Sequence, residues 1–140
     1  MSDPIRLHEN VIFTCMGGFS NTGLTSALAS LEAVQELGVE KVSLGCLAAV
    51  PINHEPVMKK TRAARNIITV DGCAHECARK VVEQAGLEVT RSIVLARDIE
   101  MKKKSLSEDI GGDLKNVMDY ISQEEVQRAK ELIVNTIKGL

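Results

Sequence analysis

With 140 residues, 44% of them apolar, and a mean hydropathy of zero, the chain has the size and composition of one soluble domain with a real core, which excludes disorder. A net charge of −2 and an aromatic content of 2% leave neither the basic surface nor the stacking platforms of a nucleic-acid binder, so nucleic acid is excluded as a partner. No apolar run approaches the ~20 residues that cross a bilayer, and the start of the chain lacks an export signal, so no membrane partner and a cytoplasmic location are expected.

Val11-Ile12-Phe13-Thr14 is a short apolar run that ends at Cys15 and Gly17-Gly18, and it predicts a buried strand entering a turn. Ser20, Asn21 and Thr22 offer helix caps, Leu24, Leu28, Leu31 and Val34 recur at helical spacing, and Gly38 stops the helix. Val42-Ser43-Leu44 is a second strand ending at Gly45-Cys46. Asn53 and Pro56 open a helix to about Ala64, and Ile67-Ile68-Thr69-Val70 is a β-branched third strand ending at Asp71-Gly72-Cys73. A helix opening near Ala74 and carrying Ala78, Val81, Val82 and Ala85 runs to Gly86, and Ser92-Ile93-Val94-Leu95 is a fourth strand.

This alternation predicts an α/β fold: one three-layer domain with a parallel sheet of about four strands and helices on both faces. The core spans about residues 9–96. Residues 97–120 read as an ordered excursion or lid in which Lys102-Lys103-Lys104 is a solvated charge run. Ser122 and Glu125 form a capping box for a C-terminal amphipathic helix with Val126, Ala129, Ile133 and Ile137 on one face. That face has two uses, packing on its own core or pairing two copies as a homodimer; the first is favoured.

Cys15, Cys46 and Cys73 each follow a predicted strand directly, and in a parallel sheet all those ends share the edge where such folds bind ligands. Residues separated by 31 and 27 positions should therefore converge. Cys77, four residues after Cys73, is expected to join it from one face of a helical turn. In a reducing compartment, four gathered thiols suit a tetrahedral zinc, or alternatively an iron–sulfur cluster.

Around them, Gly17, Gly18, Ser20, Asn21 and Thr22 form a polar loop able to cap a helix or to cradle a small anionic ligand. Asp71 is a helix cap or a group supporting the metal ligands, and His75 is a reserve ligand or proton carrier. The expected function is metal binding in a structural or sensory role. The alternative is a thiol- or cluster-based redox or sulfur-handling enzyme that uses the same cysteines.

A strand, Cys15, a glycine loop and a helix also resemble the entrance of low-molecular-weight tyrosine phosphatases. That chemistry needs an Arg six positions after the nucleophile, and Asn21 stands there.

Asp71-Gly72-Cys73 followed by Cys77-Ala78, Cys15 with its glycine loop, and the isolated Cys46 together resemble the DGC-domain family, described as zinc-binding. The resemblance covers roughly Val11 to Gly86. It implies four cysteines holding a metal in a small α/β domain, and it brings no reaction.

Overall fold

In a computed structural model, residues 8–140 are described; the N-terminal stretch read above as lacking an export signal lies outside them. Four parallel strands form one sheet: β1 (Asn10–Thr14), β2 (Val42–Leu44), β3 (Asn66–Asp71) and β4 (Arg91–Val94), in the order β2-β1-β3-β4. β1 is central, with Ile12 opposite Leu44 on one side and Ile68 on the other. The expected α/β class, parallel sheet and C-terminal helix are therefore present.

The helices divide between the faces as the side-chain alternation of the strands requires. Ile12, Ile68, Val70 and Ile93 point to one face, where α1 (Asn21–Leu37) adds Ala29 and Ala33 and α5 (Gln123–Lys138) adds Val126, Ala129, Ile133 and Ile137. Val11, Phe13 and Ile67 point to the other, against Met58 of α2 (Glu55–Ala63) and Val82 of α3 (Cys77–Gln84). The apolar face of α5 is thus spent within its own core, and Ser122 caps that helix through Glu125 N–H as the capping box predicts. No described helix is long and apolar enough to cross a membrane.

Strand order is what the sequence pattern does not disclose, and it matters here. α1 leaves β1 on one face and leads to β2; the chain then recrosses behind β1 to β3, whose helix α3 lies on the other face. The loops after β1 and β3 consequently diverge and open a crevice between adjacent strand ends, the switch point at which doubly wound sheets take their ligands.

Past β4, a short helix α4 (Leu95–Asp98) leads into a strap, residues 99–106, and two 3-10 turns, Leu106–Asp109 and Val117–Tyr120. The strap returns to the start of α1 and makes an antiparallel bridge between Ser105 and Ser20.

Candidate metal centre

Cys15, Cys46 and Cys73 follow the C-terminal ends of β1, β2 and β3, so all three occupy one edge of the sheet, as the strand assignments require. The crevice at the switch point brings together Cys15, Cys73 and Cys77 with Gly17, Gly18, Ser20, Thr22, Asp71, His75 and Lys103. Its volume is about 140 Å³, room for an ion and a small group rather than a large organic substrate. Cys46 lies two residues past the end of β2 and opens a 3-10 turn; it is exposed and stands outside the crevice lining. The switch point between β1 and β3 explains the division, because β2 lies beyond β1. A larger apolar cleft of about 370 Å³ lies between α2 and α3, lined by Val50, Met58, Val81 and Ala85, and carries no thiol or ionisable side chain.

The loop after β1 is built by close backbone approach. Cys15 N–H donates to the Val70 carbonyl, and the Ser26 hydroxyl donates to the Cys15 carbonyl at 2.7 Å, fixing the strand end against α1. Ser20 caps α1 by accepting from Gly23 N–H at 3.2 Å. Gly72 runs against the first turn of α1 so closely that a β-carbon would collide with the Thr22 carbonyl and come within 2.7 Å of Gly23 N. The glycine of the Asp-Gly-Cys run is therefore a packing requirement that sets Cys73 beside the Cys15 loop.

Asp71 is almost fully buried, and its two oxygens accept from Ala78 N–H (2.8 Å) and Arg79 N–H (3.2 Å), capping α3 from the end of β3. Burial pushes its carboxyl above the usual range, against the pull of those two donors. With both oxygens engaged, Asp71 is a cap that orients the Cys77 turn, and it is not a free ligand.

The helical-face geometry expected for Cys73 and Cys77 needs correction. α3 begins at Cys77, and residues 73–76 form a turn closed by Glu76 N–H to the Cys73 carbonyl, with Glu76 left-handed at φ 51°. The two cysteines meet through this turn rather than across one turn of helix.

All four cysteines are unpaired thiols. Burial raises the Cys15 thiol above its ordinary value, the Gly17 backbone N–H opposes this, and negative charge on Cys77, Asp71 and Cys73 adds to the rise. Three soft donors from two chain segments, the loop after β1 and the turn after β3, with a cationic side chain facing them, are a donor set that fits a thiophilic ion such as zinc. Among the described residues no three His, Cys, Asp or Glu side chains are gathered at metal-holding spacing; the three thiols border the crevice.

Sequence reasoning missed Lys103. It assigned Lys102-Lys103-Lys104 to solvent, yet Lys103 Nζ lies 3.9 Å from Cys73 Sγ. No motif announces it, because the contact depends on the strap crossing back over the sheet edge. Asn21 does not face the crevice as a ligand group. Its side chain donates to the Lys102 carbonyl (2.9 Å) and accepts from Lys104 N–H (2.6 Å), tying down that strap.

A family model described as the DGC domain matches residues 11–133 of this chain. No curated protein and no solved structure matches it.

Proposed function

The chain belongs to the DGC-domain family, and on that premise we propose that it is a zinc-binding protein using Cys15, Cys73 and Cys77, with Cys46 completing a four-sulfur set. The observation that carries this reading is that Cys15, from the loop after β1, lines one crevice with Cys73 and Cys77, from the turn after β3, at the ligand edge of a parallel sheet. A shell of four protein donors leaves no open position, which favours a structural or sensory ion over a catalytic one. Sensing is the better match of the two: both apolar clusters close without the crevice, so the fold does not need the ion to form its core. The compartment is the reducing cytosol, where free thiols persist.

One observation favours a second reading. His75 lines the crevice and Cys46 does not, so three thiols with His75, or with an exchangeable ligand, would make a more open site suited to thiol or sulfur chemistry.

The test is metal analysis and absorption spectroscopy of protein purified without oxygen, followed by single substitutions. One equivalent of zinc in a colourless protein is expected, falling sharply in Cys15→Ser, Cys46→Ser, Cys73→Ser and Cys77→Ser, and staying near full in His75→Ala. Full zinc in Cys46→Ser with loss in His75→Ala would replace the first reading by the second. A brown protein would replace zinc by an iron–sulfur cluster, and a protein with reduced thiols that takes up neither metal would end both readings.

A further inference from the structure

Resting on the zinc reading, we infer that Lys103 is the fixed counter-charge of the thiolate centre, and that the strap is fastened to the Cys15 loop in order to hold it there. The three lysines of the basic run take different directions. Lys104 Nζ pairs with Asp109 at 3.3 Å and stands 5.5 Å from the centre of the Tyr120 ring, Lys102 is exposed, and Lys103 alone enters the crevice lining.

The fastening is built around that one residue. Asn21 takes the Lys102 carbonyl with its amide nitrogen and the Lys104 N–H with its amide oxygen, gripping the backbone on both sides of Lys103. Asn21 N–H also donates to the Lys104 carbonyl (3.1 Å), and Leu106 N–H to the Phe19 carbonyl (3.0 Å). Phe19 and Asn21, the residues so paired, flank Ser20 at the end of the loop that begins at Cys15. The strap and the cysteine loop therefore move as one piece, and Lys103 is carried to Cys73.

Charge explains why a cation belongs there. A divalent ion held by three thiolates leaves one net negative charge, and by four thiolates two. No carboxylate can offset that excess, and among the described residues Lys103 is the only lysine or arginine that lines the crevice. Because the Lys103 side chain is exposed, its effect on affinity should be modest and sensitive to salt.

Zinc affinity is measured by competition with a chromophoric chelator at low and at high salt, together with the melting temperature of the zinc-free protein. Lys103→Met should weaken zinc binding about two- to five-fold at low salt, the range of an exposed charge pair. Lys103→Glu, which reverses the charge, should weaken it roughly ten-fold, and Lys103→Arg should stay close to wild type. Wild-type affinity should fall with salt more steeply than that of Lys103→Met, and the melting temperature without zinc should not change. Asn21→Ala should reproduce the Lys103→Met loss, with the double variant no weaker than either single change, because both remove the same interaction.

Zinc binding in wild type that is indifferent to Lys103→Met and Lys103→Glu would overturn this inference and leave the zinc reading standing. A loss that is independent of salt and accompanied by a lower zinc-free melting temperature would make Lys103 a structural residue and overturn it as well. A wild-type protein that takes up no zinc would remove the reading beneath it.

Discussion

Replacing Gly72 by alanine should damage the site through backbone packing, without touching any thiol. The added β-carbon would collide with the carbonyl carbon and oxygen of Thr22 and approach Gly23 N to 2.7 Å. All of these are main-chain atoms in the first turn of α1, where Thr22 is completely buried and Ser20 holds the cap, so no side chain can swing aside. β3 and α1 must separate instead. Overpacking of this kind costs about 1–3 kcal/mol, partly offset by the ~0.4–1 kcal/mol that Gly→Ala gains from a stiffer unfolded chain. A net loss of about 1–2 kcal/mol corresponds to a fall of roughly 3–8 °C in melting temperature for a domain of this size. Thermal and urea unfolding followed by circular dichroism would measure it, with Gly18→Ala as the control. Gly18 lines the same crevice, but nothing lies within 4 Å of its added carbon, so Gly18→Ala should keep the stiffening gain and melt at or up to about 1–4 °C above wild type. Zinc occupancy should fall in Gly72→Ala and hold in Gly18→Ala. Equal melting of Gly72→Ala and wild type would refute the close-approach explanation of the Asp-Gly-Cys run.

Three further outcomes follow from the same geometry. Asp71→Ala strips two backbone N–H groups of α3 of their acceptor and should cost about 1–2 kcal/mol in urea unfolding, with Asp71→Asn milder because it keeps one acceptor oxygen; an unchanged urea midpoint in Asp71→Ala would show that the cap is idle. At Asp98 partial burial works against ionisation, but the Arg97 side chain and the Val94 N–H outweigh it and hold the carboxyl below its usual value. Its contribution is therefore complete above the unfolded value of about 4 and is lost as pH falls through the lower folded value. Asp98→Asn should show a shallower acid slope in that window, and parallel acid-unfolding curves would contradict the assignment. Finally, hydrolysis of a generic aryl phosphate should be negligible, since Asn21 holds the strap where a phosphatase needs its Arg; turnover abolished by Cys15→Ser would prove this wrong.

The fold was largely legible because each strand is a short apolar run closed by a turn signal, and because each long helix carries its own cap. Ser20, Gly38 and Ser122 all act where the sequence places them. The cysteine positions at strand ends were legible for the same reason. Two things were not. The route from Cys73 to Cys77 depends on a left-handed Glu76, a conformation that no local propensity demands of glutamate, so a continuous helix was the natural expectation. The role of Lys103 depends on a contact thirty residues away in sequence, made by a strap whose only written sign is a charge run.

Strand order carries the largest share of what remained hidden. From the sequence alone, Cys46 and Cys73 are equivalent partners for Cys15, since both follow strands of one parallel sheet, Cys46 one helix and one strand further along the chain and Cys73 two of each. The observed order makes them unequal. β3 lies beside β1 across the switch point, where α1 and α3 turn to opposite faces and leave a gap. β2 also lies beside β1, but α1 itself links the pair, and Gly45 lets the Phe13 ring fill the space beneath that end. A β-carbon on Gly45 would meet that ring, so the space beneath the β2 end is filled by a side chain, whereas Gly72 at the β3 end meets only backbone of α1 beside the crevice. Cys15, Cys73 and Cys77 thus share a crevice by topology, whereas Cys46 stands outside its lining. This asymmetry makes Cys46→Ser the most informative single substitution in the chain: its zinc content decides between a closed four-sulfur shell and a three-sulfur centre with a position left for chemistry.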